Sequence, residues 1–229
     1  GIPLGVAASF VFVFILFGAL LEVTGAGQFF IDLAYAITGK HRGGPAKAAV
    51  LASASMGSVS GSAIANVVTS GAFTIPLMKR VGYRPHEAGG IEAAASTGGQ
   101  ILPPIMGAGA FLIAEYTGLP YLEGVKAGFV PAVLYMGTVF VFVHLVAVAR
   151  DLKGLPASEL PRFGSTLAKG WHYLLAVVVL LTALLMDLSV ARVGFLSCLA
   201  VAALAGMRAA WDRIVRVRDQ GPGPSEAER

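Results

Sequence analysis

Residues Ala48 to Met78, AAVLASASMGSVSGSAIANVVTSGAFTIPLM, run for 31 positions without a charge. A single helix of that length would be about 46 Å long, well beyond a hydrocarbon core of about 30 Å. The stretch is also interrupted at its centre by Gly57, Ser58, Val59, Ser60, Gly61 and Ser62. A helical hairpin fits both facts: one limb enters to mid-depth, turns at the Gly/Ser segment and leaves on the same side through Asn66 to Met78. The next apolar segment, Ala88 to Ala114, carries one interior charge, Glu92, and breaks at STGGQILPP, Ser96 to Pro104. Consecutive prolines cannot sit inside a helix without losing backbone hydrogen bonds, so this segment reads as a discontinuous spanning helix.

The flanking sequence supplies ordinary spans. Ile2 to Leu21 and Ala127 to Ala149 are uncharged and long enough to cross a bilayer. Gly170 to Met186 and Val193 to Met207 are shorter, but Lys169, Arg192, Arg208, Trp171 and Trp211 can extend them by snorkelling and headgroup contact. Asp187, Leu188 and Ser189 form the turn between them. The composition agrees: 56% of the 229 residues are hydrophobic and 13% charged. About 25% charge is usual for a soluble domain, so half that share cannot cover a water-facing surface. The same figures exclude a disordered chain, and the single cysteine, Cys198, excludes a disulfide scaffold.

The net charge of +4 is a topology signal. With the first span running outside to inside and the hairpin re-entrant, every lysine and arginine except Lys126 and Arg192 falls inside. Were the hairpin a full span, Lys79, Arg80, Arg84, Arg150 and Lys153 would move outside and the asymmetry would collapse. The expectation is an all-α integral membrane protein with about five transmembrane helices, one discontinuous, plus one re-entrant helical hairpin. It divides into a membrane region, 1–149, holding the hairpin at about 44–80 and the broken helix at about 86–117. A cytoplasmic connector, 150–170, two further helices, 171–211, and a polar tail, 212–229, follow. The chain begins at Gly1 within an apolar segment and reads as a fragment of something longer.

Non-helical backbone at membrane depth survives only when buried in protein or lining a wet cavity. Two breaks brought together would offer helix N-termini to an anion, and carbonyls with hydroxyls to a small hard cation. Ser58, Ser60, Ser62, Asn66 and Thr97 supply side-chain oxygens, and Gly61, Gly98 and Gly99 allow close backbone approach. Sodium suits neutral oxygens of this kind, whereas a thiolate- or imidazole-binding metal would need a His/Cys cluster. The competing reading is a seam of small residues for close helix packing.

These residues carry a family resemblance. GSVSGSAIANVVTSGAFTIPLMKRVGYRPHEAGGIEAAASTGGQILPPIMGAGAFLIAEYTGLPY, Gly57 to Tyr121, resembles the large membrane subunit of tripartite ATP-independent periplasmic (TRAP) transporters. The upstream GIPLGVAASFVFVFILFGALLEVTGAGQFF and downstream GWHYLL resemble fused permeases that pair with TAXI-type binding proteins. The resemblance implies the N-terminal half of an inverted-repeat elevator transporter in the bacterial inner membrane. It also implies sodium as coupling ion, no cofactor, an organic anion such as a carboxylate as cargo, and a periplasmic binding protein as partner. The second half of the permease and the small-subunit helices would be further partners; no nucleic acid is expected. By matching motifs, Ser60, Gly61 and Ser62 would be the hairpin tip, and Thr97, Gly98 and Gly99 the unwound partner. The departure is length, since a complete large subunit has a second hairpin and broken helix.

Other polar residues read differently. Glu92, an intramembrane carboxylate, is either a proton relay or a structural acceptor. Glu22 and Glu115 read as solvated span ends, His144 and His172 as packing or interface residues, and Cys198 as an apolar filler. Two other functions fit parts of the pattern. A non-transporting scaffold subunit would explain a single repeat, and an intramembrane serine protease would use Ser60. The protease needs a base within hydrogen-bond reach, and His144 is expected near the inner surface, far from Ser60.

Overall fold

A computed structural model describes residues 1–186 and 188–219; Asp187 and residues 220–229 of the polar tail lie outside the described residues. The described chain is helical with no strand. The elements are α1 (Ile2–Val6), a π-helical turn (Ala7–Val11), α2 (Phe12–Val23), α3 (Ala26–Thr38), α4 (Gly44–Ser60), α5 (Ala63–Arg80), α6 (Pro85–Gly99), α7 (Ala108–Thr117), α8 (Tyr121–Ala149), α9 (Phe163–Leu185) and α10 (Val190–Asp219). Among the described residues four helical stretches are long and apolar enough to cross a membrane: Leu4–Val23, Tyr121–Ala149, Ala157–Leu185 and Val190–Arg208.

Helices α4 and α5 form the hairpin, with the chain reversing at Gly61, where φ is +64°. Ser62 begins α5 as its N-cap, accepting from the backbone N–H of Ala65 at 3.3 Å. Helix α6 packs on both limbs and stops at Gly99, and the chain resumes as α7 only at Ala108. The hairpin tip ends level with this gap. Helix α7 continues past it, and α8 returns along α6 toward the other end.

That other end is tied together by charge. Arg42 pairs with Asp151 at 2.9 Å, Arg150 with Glu87 at 2.5 Å, and Arg80 with Glu159. Backbone bonds from Gly43 N–H to Leu152 O and from Leu155 N–H to Gly39 O join the same segments. Both ends of the hairpin, the start of α6 and the end of α8 therefore share one basic pole. Lys126 and Arg192, the two cations expected on the far side, lie near the starts of α8 and α10.

One element and two boundaries differ from expectation. Helix α3 has no counterpart among the expected spans, because Gln28 and Asp32 interrupt its apolar residues and 13 residues fall short of a span. It is nonetheless a packed helix, burying Ala26, Phe29, Phe30, Ala34 and Thr38 at helical spacing. Helix α9 begins at Phe163, before the expected 171, and α10 runs to Asp219, into the expected polar tail. A helix that outlasts the hydrocarbon needs no further apolar residues, so hydropathy alone truncates it.

The hairpin and broken helix meet at two glycines. A methyl group added to Gly99 would lie 2.7 Å from Gly57 Cα and 2.9 Å from Ser53 O. Replacing Gly99 with Ala should therefore cost about 1–3 kcal/mol through overpacking. The check is a lowered thermal unfolding midpoint in detergent, with Gly109→Ala, where a methyl meets nothing within 4 Å, unchanged.

Candidate functional site

The gap between α6 and α7, residues 100–107, closes against the hairpin tip. Ile105 N–H donates to Ser58 O at 3.1 Å, and Gly107 N–H donates back to Gln100 O at 2.6 Å. Met106 takes a positive φ of 59°, and its carbonyl abuts Gly61, so a side chain at 61 would collide with it. Gly18 of α2 lies on the tip's other flank, where a methyl would reach Ser60 Cα at 3.0 Å.

Four helix ends converge here. The C-termini of α4 and α6 point their carbonyl ends here and the N-termini of α5 and α7 their N–H ends, and Gly57 O, Ser58 O, Thr97 O, Gly98 O and Gly99 O each accept a backbone N–H of the two breaks. The first pair attracts a cation and the second an anion, because the peptide dipoles add along each helix. An arrangement of this kind can hold both at once without a charged side chain.

An aromatic stack supports the gap. Tyr121 OH donates to Ile105 O and to Pro104 O, the latter at 3.2 Å. Its ring stacks on Phe111 at 4.6 Å, and Phe111 stacks on Phe14 at 5.1 Å. The last turn of α6 is held from the other side, where Gly98 lies against the Tyr135 ring and Met136, and Tyr135 OH donates to Ala94 O at 3.1 Å.

The expected site residues separate into four groups. Ser58, Ser60, Gly61 and Ser62 are gathered at the tip. Ser58 OH donates to Ser55 O, and Ser60 Oγ accepts from Ser62 N–H at 3.4 Å. Gly98 and Gly99 are brought beside them, against α8 and α4. Asn66 is buried one turn below the tip, where its side-chain amide donates to Ser53 O at 2.8 Å and bridges the limbs. Thr97 lies on the face of α6 opposite Gly99. Its hydroxyl is exposed and donates to Ala93 O at 2.8 Å.

Sequence reasoning missed Gly18, Met106 and Tyr121. Only the GLPY run after α7 signals the last, as a ring near a break. Glu22 is exposed as expected, but it accepts a hydrogen bond from Thr69 of the hairpin rather than standing alone at a span end. His144 is exposed beside Val143, whose carbonyl accepts from Tyr83 OH at the basic pole, the opposite end of the bundle from Ser60.

Residues 3–220 match the family described as "Tripartite ATP-independent periplasmic transporter, DctM component". The chain belongs to that family. A C4-dicarboxylate TRAP transporter large permease protein DctM of Pseudomonas aeruginosa is 34% identical over 168 residues, 73% of this chain and 39% of that protein. The 2,3-diketo-L-gulonate TRAP transporter large permease protein YiaN of Escherichia coli is 32% identical over 91 residues, 40% of this chain and 21% of that protein. A DctM of Vibrio cholerae is 28% identical over 173 residues, 73% of this chain and 37% of that protein. The chain thus matches well under half the length of these relatives. By family it is a multi-pass inner-membrane protein of the TRAP large-permease type.

Removing the Tyr121 hydroxyl by Tyr121→Phe leaves two buried carbonyls without that donor, at a cost of about 1–3 kcal/mol. Amide hydrogen exchange across residues 100–107 should rise, while exchange within α9 stays the same.

Proposed function

We propose that this TRAP permease component carries one half of the ion and substrate site of a sodium-coupled secondary transporter that imports organic anions. The observation that carries the reading is the meeting of four helix ends at the hairpin tip. Carbonyls from α4 and α6, with the hydroxyls of Ser58, Ser60 and Ser62, suit sodium, a hard cation that favours neutral oxygens. The N-termini of α5 and α7 suit a carboxylate, and the carboxylate-bearing names of the relatives support that class. Thr97 and Asn66 belong to the same proposed ion site. Asn66 acts by bridging the limbs, and Thr97 presents its hydroxyl on the open face of α6.

In this reading the hairpin is re-entrant, with its base at the cytoplasmic face. The shared basic pole supports that orientation, because cytoplasmic segments carry the excess of Lys and Arg. Sodium would order the tip against the 100–107 gap, and the hairpin with its broken helix would move as one body past the other helices. A periplasmic binding protein, of TAXI type by motif, would deliver the anion. The second repeat and the small-subunit helices would complete the site. No arginine lies in either break, so a cationic clamp on the anion would come from those parts.

One experiment tests this reading. In vesicles containing the complete permease and its binding protein, Ser62→Ala or Thr97→Ala should raise the sodium concentration for half-maximal uptake several-fold, the effect of losing one ligand of about 1 kcal/mol. An unchanged sodium dependence refutes the ion-site assignment. A cysteine replacing Lys79 should label only from the cytoplasm, and periplasmic labelling would overturn the hairpin's orientation.

A further inference from the structure

Glu92 is fully buried, as are Ser53, Ser70, Thr74 and Ser96 around it, each at 0% exposure. Three helices supply the donors. From α4, Ser53 OH reaches Oε1 at 2.9 Å. From α5, Ser70 OH reaches Oε1 at 2.5 Å and Thr74 OH reaches Oε2 at 2.6 Å. Ser96, one turn along α6 itself, lies 3.4 Å from Oε1. Gly71 leaves room for the chain, since a methyl there would meet Glu92 Cγ at 3.3 Å. Among the described residues no lysine, arginine or histidine forms an ion pair with Glu92.

The cluster leads directly to the tip. The Ser53 carbonyl, on the residue whose hydroxyl binds Glu92, accepts from the Asn66 amide and forms the wall against which Gly99 packs. Ser53, Asn66 and Gly99 lie within a turn of the hairpin's contact with the broken helix.

We propose that Glu92 is a positioning residue: by accepting hydroxyls from α4 and α5 at once, it fixes α6 in register with both hairpin limbs and so sets the contact between the tip and the gap. Hydrogen bonding, and not ion pairing, supplies the tie. Each hydroxyl carries one hydrogen, and two of them have a second acceptor. Ser70 OH lies 2.7 Å from Asn66 O, and Thr74 OH lies 3.0 Å from Ser70 O. A neutral amide in place of the carboxylate is therefore also accommodated. Its oxygen takes the Ser53 and Ser70 hydrogens, and its nitrogen donates to Thr74 Oγ1 while Thr74 turns to Ser70 O. An apolar side chain of similar size accepts none of them and leaves the three helices without their shared acceptor. The tie requires neither sodium nor substrate.

The test is hydrogen exchange by mass spectrometry on the whole protein in lipid nanodiscs, without substrate. Glu92→Leu should speed exchange at residues 57–62 and 98–107 by about tenfold or more, as loss of the hydrogen bonds that join three helices dictates. Exchange in α9 and α10 should not change. Glu92→Gln should restore protection to within about twofold of the parent, because the amide re-forms the network. Parent-like exchange in Glu92→Leu overturns the proposal, and so does a Glu92→Gln protein as loose as the leucine variant. Should Glu92→Leu fail to accumulate, Ser53→Ala removes one donor from the same tie and should loosen the same peptides; unchanged exchange there is equally fatal. A loosened tip with unaltered sodium dependence would refute the ion site and leave this proposal standing.

Discussion

Everything in this molecule turns on one constraint: a helix broken away from water must find partners for the backbone groups it frees. Each orphaned N–H or C=O costs several kcal/mol in hydrocarbon. Here two breaks answer each other. The hairpin reverses at Gly61, α6 stops at Gly99, and the bond from Ile105 N–H to Ser58 O joins the two gaps. Gly57 and Gly99 have no side chains between them, which lets the backbones approach closely enough for that bond. Tyr121 then covers the carbonyls of Pro104 and Ile105.

The same constraint shapes the candidate site, which has no charged residue in either break. Four helix termini meet, with carbonyl ends from α4 and α6 and amide ends from α5 and α7, and several of these groups bond one another across the breaks. The charged residues lie elsewhere in the structure. Ion pairs gather at the basic pole, where Arg42, Arg80 and Arg150 clasp Asp151, Glu159 and Glu87. The buried carboxylate, Glu92, sits between the hairpin and α6, surrounded by hydroxyls. Charge at one end holds the bases of the helices, and hydrogen bonds within hold the upper turns.

Much of this was legible in the residues. An uncharged run too long for one helix, with Gly and Ser at its centre, reads as a hairpin, and Gly98-Gly99 followed by Pro103-Pro104 reads as a break; both elements lie where those residues put them. The tip residues Ser58 to Ser62 were legible for the same reason. Helix α3 was not, because Gln28 and Asp32 weaken an apolar pattern whose meaning depends on the helices packed against it. The ends of α9 and α10 escaped because helices cross the headgroup region without changing period. Thr97 and Asn66 could be picked out by residue type, but only the helix rotation shows Thr97 on the open face of α6 and Asn66 bridging the limbs. Ser70, Thr74 and Glu92 could be recognised as polar residues in apolar helices, but only the packing brings three helices to one carboxylate.

The contact between tip and gap is tested most directly by disulfide trapping in native membranes. With Cys198 replaced by serine, cysteines at Ser58 and Ile105 should cross-link rapidly under mild oxidation, while a pair at Ser58 and Ile113 should not. Failure of the first pair to cross-link, with both single-cysteine proteins present in the membrane and reactive to thiol reagents, would contradict the account.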